Sequence, residues 1–184
     1  MGGVLPVALF AGGHHHFVSA LAQRAGVAPY SVHTTFQYGG APGKRHRLRE
    51  AMLWEEDEPE YYQPENGVLA YDAELPEALL HPAGGMTAKG HVELMLHQLR
   101  QLRAALAISH ALGRVLVLPT LACGMDKYWA NLNEHGVIPS AHSWAAPIMH
   151  CPLDHMLNPA ELKPRPTEFV REVRRRELIA EIDC

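Results

Sequence analysis

The sequence predicts a mixed α/β fold with a largely parallel sheet, and three observations predict it. A β-favouring stretch, Tyr30–Thr35, runs into a glycine-rich turn and a basic helix. An amphipathic helix over His91–Leu112 is followed by Gly113 and the apolar run Val115-Leu-Val-Leu. Helices that feed short, wholly apolar strands are the pattern of parallel sheets, whose strands are covered on both faces. Of the 184 residues, 47% are hydrophobic, enough to bury one core or two small lobes.

Val4–Phe10 reads as a buried strand and Ala11-Gly-Gly as a turn. His14, His15 and His16 read as a polar loop, because three consecutive side chains cannot all face one ion on regular structure. Phe17, Ala20, Leu21 and Arg24 share a short helix that Gly26 closes. Tyr30–Thr35 is the next strand, with His33 near its end. The helix after the Gly39–Gly43 turn is expected to bury Leu48, Ala51 and Met52 and to expose Lys44, Arg45 and Arg49. The acidic run Glu55–Glu58 with Pro59 ends it and reads as a solvated linker; shielding or gating of the basic turn is the alternative. Residues 64–90, rich in Pro and Gly, read as a surface loop. In the His91–Leu112 helix, Val92, Met95, Leu99, Leu102 and Leu106 form the apolar stripe, with Gly113 just past its end. Beyond Pro119, Trp129, Trp144 and several prolines indicate an irregular packed segment. Thr167–Ile182 reads as a charged terminal helix. The division is therefore 1–63, a linker over 64–90, and an α/β segment over 91–184.

Net charge is −4 and the pI about 6.3, so no basic field points to nucleic acid. No apolar run approaches the roughly 18 residues that a spanning helix needs. The first residues lack the basic region of a secretory signal, and the chain reads as soluble. Cys123, Cys151 and Cys184 show no Cys-x-x-Cys spacing, which argues against a structural zinc site. A Cys123–Cys151 disulfide fits an oxidising lumen, and two buried thiols are the other reading.

The segment His33–Trp54 carries the chemistry. A helix opening on Lys44, Arg45, Arg47 and Arg49 sets cations against the positive end of the helix dipole, at a cost of about a few tenths of a kcal/mol each. The order makes sense if an anion sits at the turn, held by backbone N–H groups and basic side chains. A histidine nearby can ligate a divalent metal that bridges the same phosphates. The alternative is a solvated basic face and an ordinary strand-end histidine. Neither the Walker A nor the dinucleotide glycine spacing is present.

His33-Thr-Thr-Phe-Gln-Tyr, Gly43-Lys-Arg-His-Arg-Leu-Arg-Glu-Ala, Arg114-Val-Leu-Val-Leu-Pro and Cys151-Pro-Leu-Asp-His together resemble the C-terminal part of the plant and algal nucleotide-diphospho-sugar transferases. That group includes the extensin arabinosyltransferases (glycosyltransferase family seventy-seven). The resemblance implies a GT-A-like domain end followed by a small Rossmann-like α/β segment. It implies Mn2+ (or Mg2+) with His33 as a ligand, and donor diphosphate held by Gly43, Lys44 and Arg47. It further implies a nucleotide-sugar donor, a glycan or hydroxyproline-rich glycoprotein acceptor, retaining pentose (arabinose) transfer, and a Golgi lumen setting.

Metal-dependent transferases of this kind need a carboxylate pair after an apolar strand. Asp57 lies in an acidic run, and Asp72, Asp126 and Asp154 are isolated. The chain is therefore expected to be a C-terminal fragment with little turnover alone. Two other readings stand beside it: a non-catalytic module that keeps the anion-binding turn, and a fucosyltransferase-like lobe over residues 91–158. In the latter, Arg103 faces a nucleotide or, as the alternative, only solvent.

Overall fold

The computed structural model describes residues 3–126, 149–158 and 170–171. Every strand pair in it is parallel. Strand β1 (Phe10–Gly12) pairs with β2 (Ser31–His33), Gly12 opposite His33. A second sheet places β4 (Val115–Val117) between β3 (Val68–Leu69) and β5 (Val170–Arg171). The expected α/β class and parallel sheet are present. The expected Val4–Phe10 strand is not. Val4 is 99% exposed, and the amides of Leu9 and Phe10 turn back to the Pro6 carbonyl. Pro6 has no N–H to give a ladder, which favours the turn.

Between β1 and β2, His14–Val18 forms a π-helical turn, followed by α1 (Leu21–Arg24). Gly13 is needed at the corner. A Cβ there would collide with the Thr35 carbonyl, and its amide donates to Thr35 Oγ1 at 3.1 Å. After β2 come α2 (Gly40–Glu50) and α3 (Pro59–Tyr62). The 64–90 stretch, expected as a surface loop, contains β3 and also α4 (Glu77–Leu80). Residues 170–171, expected in a helix, are extended on β4, where a strand edge offers backbone partners. The rest of that expected helix, and Trp129 and Trp144, lie outside the described residues.

Helix α5 (Ala88–Leu112) opens on Thr87, whose hydroxyl accepts from Gly90 N, and closes on Gly113 at φ +63°. Its buried face is His91, Leu94, Gln98, Leu102, Ala105 and Ser109, not the expected apolar stripe. Leu102 belongs to both, whereas Val92 and Leu106 are exposed. The reason is backbone demand. Gln98 donates to the Ala122 carbonyl and accepts from the Ala122 amide, both at 2.8 Å. His91 Nδ1 accepts from Gly124 N and Met125 N, each at 3.1 Å. Two polar side chains thus stand in for a neighbouring strand along residues 122–125, and buried backbone groups require such partners.

One core cluster joins Val18, Leu102, Ala105, Leu116, Leu118, Leu121, Cys123, Cys151 and Leu153, with Phe36 and Leu69 packed on it. It draws on residues before 64, within 64–90 and after 90. The Cys123–Cys151 disulfide lies inside it, so the pairing that the sequence left open is made. Closing a 28-residue span contributes about 3.5 kcal/mol in the chain-entropy account.

Candidate functional site

Helix α2 is where the charge puzzle is answered. Gly39, at φ +90°, starts it. Gly43 packs so closely that a Cβ would strike the Tyr38 carbonyl. Arg47, expected as a diphosphate contact, is 2% exposed. Its Nη2 is paired with Asp154 Oδ1, its Nε lies 3.7 Å from Glu50 Oε2, and its guanidinium sits 5.1 Å over the Phe17 ring. The other Asp154 oxygen accepts from the Tyr38 amide at 2.8 Å, and Glu50 Oε1 accepts from Leu153 N at 2.6 Å. An anion does sit at the start of the basic helix, and it is the chain's own Asp154. A buried cation with one partner removed is costly, so this clamp fixes the turn.

Arg49, expected to be solvated, is paired with Asp57 and lies 4.5 Å over Tyr61. The acidic run is therefore not merely a solvated linker: Asp57 folds back onto the helix. Burial pushes the Asp57 carboxyl up, but the hydrogen bonds and charge of Arg49, with help from Trp54 and Tyr62, hold it below the usual carboxylate range. Leu48, Ala51 and Met52 are only half-buried. Arg45 stacks 5.3 Å over Trp54. Lys44, half-exposed, has no carboxylate partner among the described residues. His33 is exposed at the carboxyl end of β2.

A cavity of about 630 Å³ opens beside α2. Its walls come from the turn after β1 (His16, Phe17), from α2 (Arg47, Glu50), from Leu118–Leu121 after β4, and from His150–Leu153. It lies outside the carboxyl ends of β1 and β4, where open parallel sheets hold ligands. His16, expected in a polar loop, has a buried Nδ1 with no hydrogen-bond partner, and burial pulls its pKa below the ordinary imidazole value. A neutral imidazole, an ion pair and an aromatic ring therefore share one concave wall.

Asp126 is 2% exposed and pairs with His14 Nε2 at 2.8 Å, and its other oxygen is 3.9 Å from His155 Nε2. His14 also meets the Phe36 ring edge-on at 4.7 Å. Arg103, the candidate nucleotide contact of a fucosyltransferase-like lobe, is exposed on α5.

The structure thus brings Arg47 and Gly43 into one packed corner and leaves Lys44 and His33 at more open positions. Asp154, Glu50 and His16 escaped the sequence reading. Asp154 carried a usable signal, since it stands in the Cys151-Pro-Leu-Asp-His block that accompanies the basic-helix block. The two blocks touch.

No family model and no solved structure matches the chain. Over 154 residues it is 43% identical to the Arabidopsis thaliana protein named Arabinosyltransferase XEG113. The match supports an extensin arabinosyltransferase-like family for this chain. The match covers 84% of this chain and 23% of the relative, in a C-terminal portion of it. This arabinosyltransferase-like chain therefore spans about a quarter of the length of the relative it matches. No helix among the described residues is long and apolar enough to cross a membrane.

Proposed function

We propose that this chain serves a glycosyltransferase that moves a pentose, arabinose, from a nucleoside diphosphate donor to a hydroxyproline-rich glycoprotein or cell-wall glycan. The observation that carries the reading is the 43% identity to an arabinosyltransferase. The cavity at the carboxyl ends of parallel strands supports it. In this reading residues 1–63 end a GT-A-like domain, 64–90 link it, and 91–184 form a Rossmann-like segment. The disulfide suits the oxidising conditions of a secretory lumen, the Golgi by resemblance.

Lys44 is the residue assigned to the donor diphosphate, because no carboxylate among the described residues matches its charge. Arg47 holds the turn through Asp154, and Gly43 lets Tyr38 pack close. The Mn2+ or Mg2+ of the resemblance fits poorly here. No group of three ligating side chains among the described residues includes His33, so no step is assigned to a metal. The second reading is a non-catalytic module that binds nucleotide at the same turn.

Calorimetric titration with a nucleoside diphosphate tests both. One charge-assisted contact contributes about 1.5–3 kcal/mol, so Lys44→Ala should weaken binding by roughly one to two decades. Arg103→Ala should leave affinity unchanged. Equal losses in the two variants would mean diffuse electrostatics and remove the site assignment. Sugar transfer by the chain alone would exclude the non-catalytic reading.

A further inference from the structure

Cys123, Cys151 and His155 form a donor cluster that the transferase reading leaves unused. One ligating atom of each lies within 4.8 Å of the others, and all three residues are buried. Asp126 stands beside them, its Oδ1 3.9 Å from His155 Nε2 and its Oδ2 2.8 Å from His14 Nε2. The sulfurs are joined as a disulfide, and only a thiolate is a good metal ligand. Reduction changes the chemistry. A dithiol reductant supplies two electrons and two protons, the S–S bond becomes two thiols, and the reductant leaves as its own disulfide. Two soft sulfur donors and an imidazole then share one buried place, which is the donor composition of a tetrahedral zinc site. A water would complete four ligands, and Asp126, with Oδ1 3.9 Å from His155 Nε2, is placed to orient that imidazole from behind. Asp126 is itself held by His14 Nε2 at 2.8 Å, which fixes its position behind His155.

We propose that the reduced chain binds one zinc ion through Cys123, Cys151 and His155, with Asp126 as the carboxylate behind the histidine. Binding displaces the two thiol protons. The disulfide and the metal site exclude one another, since the same sulfur atoms serve both. Cys-x-x-Cys spacing speaks only to ligands close in sequence; here the fold joins cysteines 28 residues apart.

The test takes the chain oxidised, and again reduced with a dithiol that is then removed under anaerobic conditions. Cobalt(II) is the probe, because its spectrum reports thiolate ligation and tetrahedral geometry. The reduced chain should bind one equivalent with a thiolate-to-cobalt band, and one equivalent of zinc should remove it. The oxidised chain should show no band. His155→Ala should weaken cobalt binding by about 100-fold and Asp126→Asn by about 10- to 100-fold. Circular dichroism guards against simple unfolding: if reduction costs helix, zinc should restore it. A reduced chain that shows no thiolate-to-cobalt band and is not refolded by zinc overturns the proposal. So does His155→Ala with wild-type affinity. Neither nucleotide nor sugar enters the assay, so its outcome is independent of the transferase reading.

Discussion

Helices α2 and α5 solve opposite problems with the same means. Helix α2 is short and cationic, and its charges are answered by carboxylates brought from elsewhere: Asp154 to Arg47, Asp57 to Arg49. Helix α5 is long and largely apolar, yet Gln98 and His91 hold the centre of its buried face because residues 122–125 have backbone groups to satisfy. In one helix polar side chains are the need, in the other they are the supply. A residue type therefore announces that a partner is required without saying whether the partner is a ligand or the chain itself.

The largest test breaks the α2 side. Asp154→Ala removes the carboxylate paired with the buried Arg47, and the loss should be about 3–5 kcal/mol in unfolding free energy from denaturant titration. A loss below about 1 kcal/mol would show that Arg47 is not clamped. The α5 side is sharpened by a pair of variants. Leu102→Ala, on the buried face, should cost about 2–5 kcal/mol, whereas Leu106→Ala, at 42% exposure, should cost well under half of that. Equal losses would restore the stripe read from periodicity. A smaller effect is expected for Arg49→Ala, about 1 kcal/mol, because its pair with Asp57 is near the surface. The Asp57 carboxyl is depressed in the fold, so this contribution is present above pH about 4 and fades as pH falls through the folded value. The difference between the parent chain and Arg49→Ala should therefore shrink in acid.

The last effect is a gentle slope. Burial lowers the pKa of His91 and of His16, so the unfolded chain takes up protons first as pH falls below about 6.5. Stability should be full above that value and decline below it. His91 must also stay unprotonated at Nδ1 to accept from Gly124 and Met125. His91→Asn, which keeps an acceptor but does not titrate, should flatten part of the slope. An unchanged slope would remove His91 from the account.

Local patterns were legible where local chemistry decides. Gly113 closes α5, Gly26 follows α1, and β4 follows Gly113, all for reasons that lie within a few residues, whereas the Thr87 cap, which starts α5 at Ala88 rather than His91, went unread. The extent of β1 was misread although Pro6 was in view; the apolar run outweighed the missing N–H. The facing of α5 was misread because hydrophobic periodicity ranks Gln98 as a surface residue. The site was legible in part. The electrostatic oddity of Lys44, Arg45, Arg47 and Arg49 signalled that a counter-charge is needed and was read as a bound phosphate; the carboxylate that meets Arg47, Asp154, lies more than a hundred residues away and no spacing rule reaches it. The same limit hid the meeting of Asp126 with His14 and His155.

The place of β4 has a consequence for the order of assembly. Its Leu116 pairs with Leu69 on one side, and Leu116 also pairs with Val170 on the other. The central strand is thus made long after one neighbour and long before the other. A nascent chain emerging in sequence can join β3 to β4 early, but β5 follows β4 only after about fifty further residues. Non-local pairings of this kind are slow to close and leave an open strand edge in the interval. During synthesis, the newly made β4 therefore keeps one unpaired edge until β5 emerges.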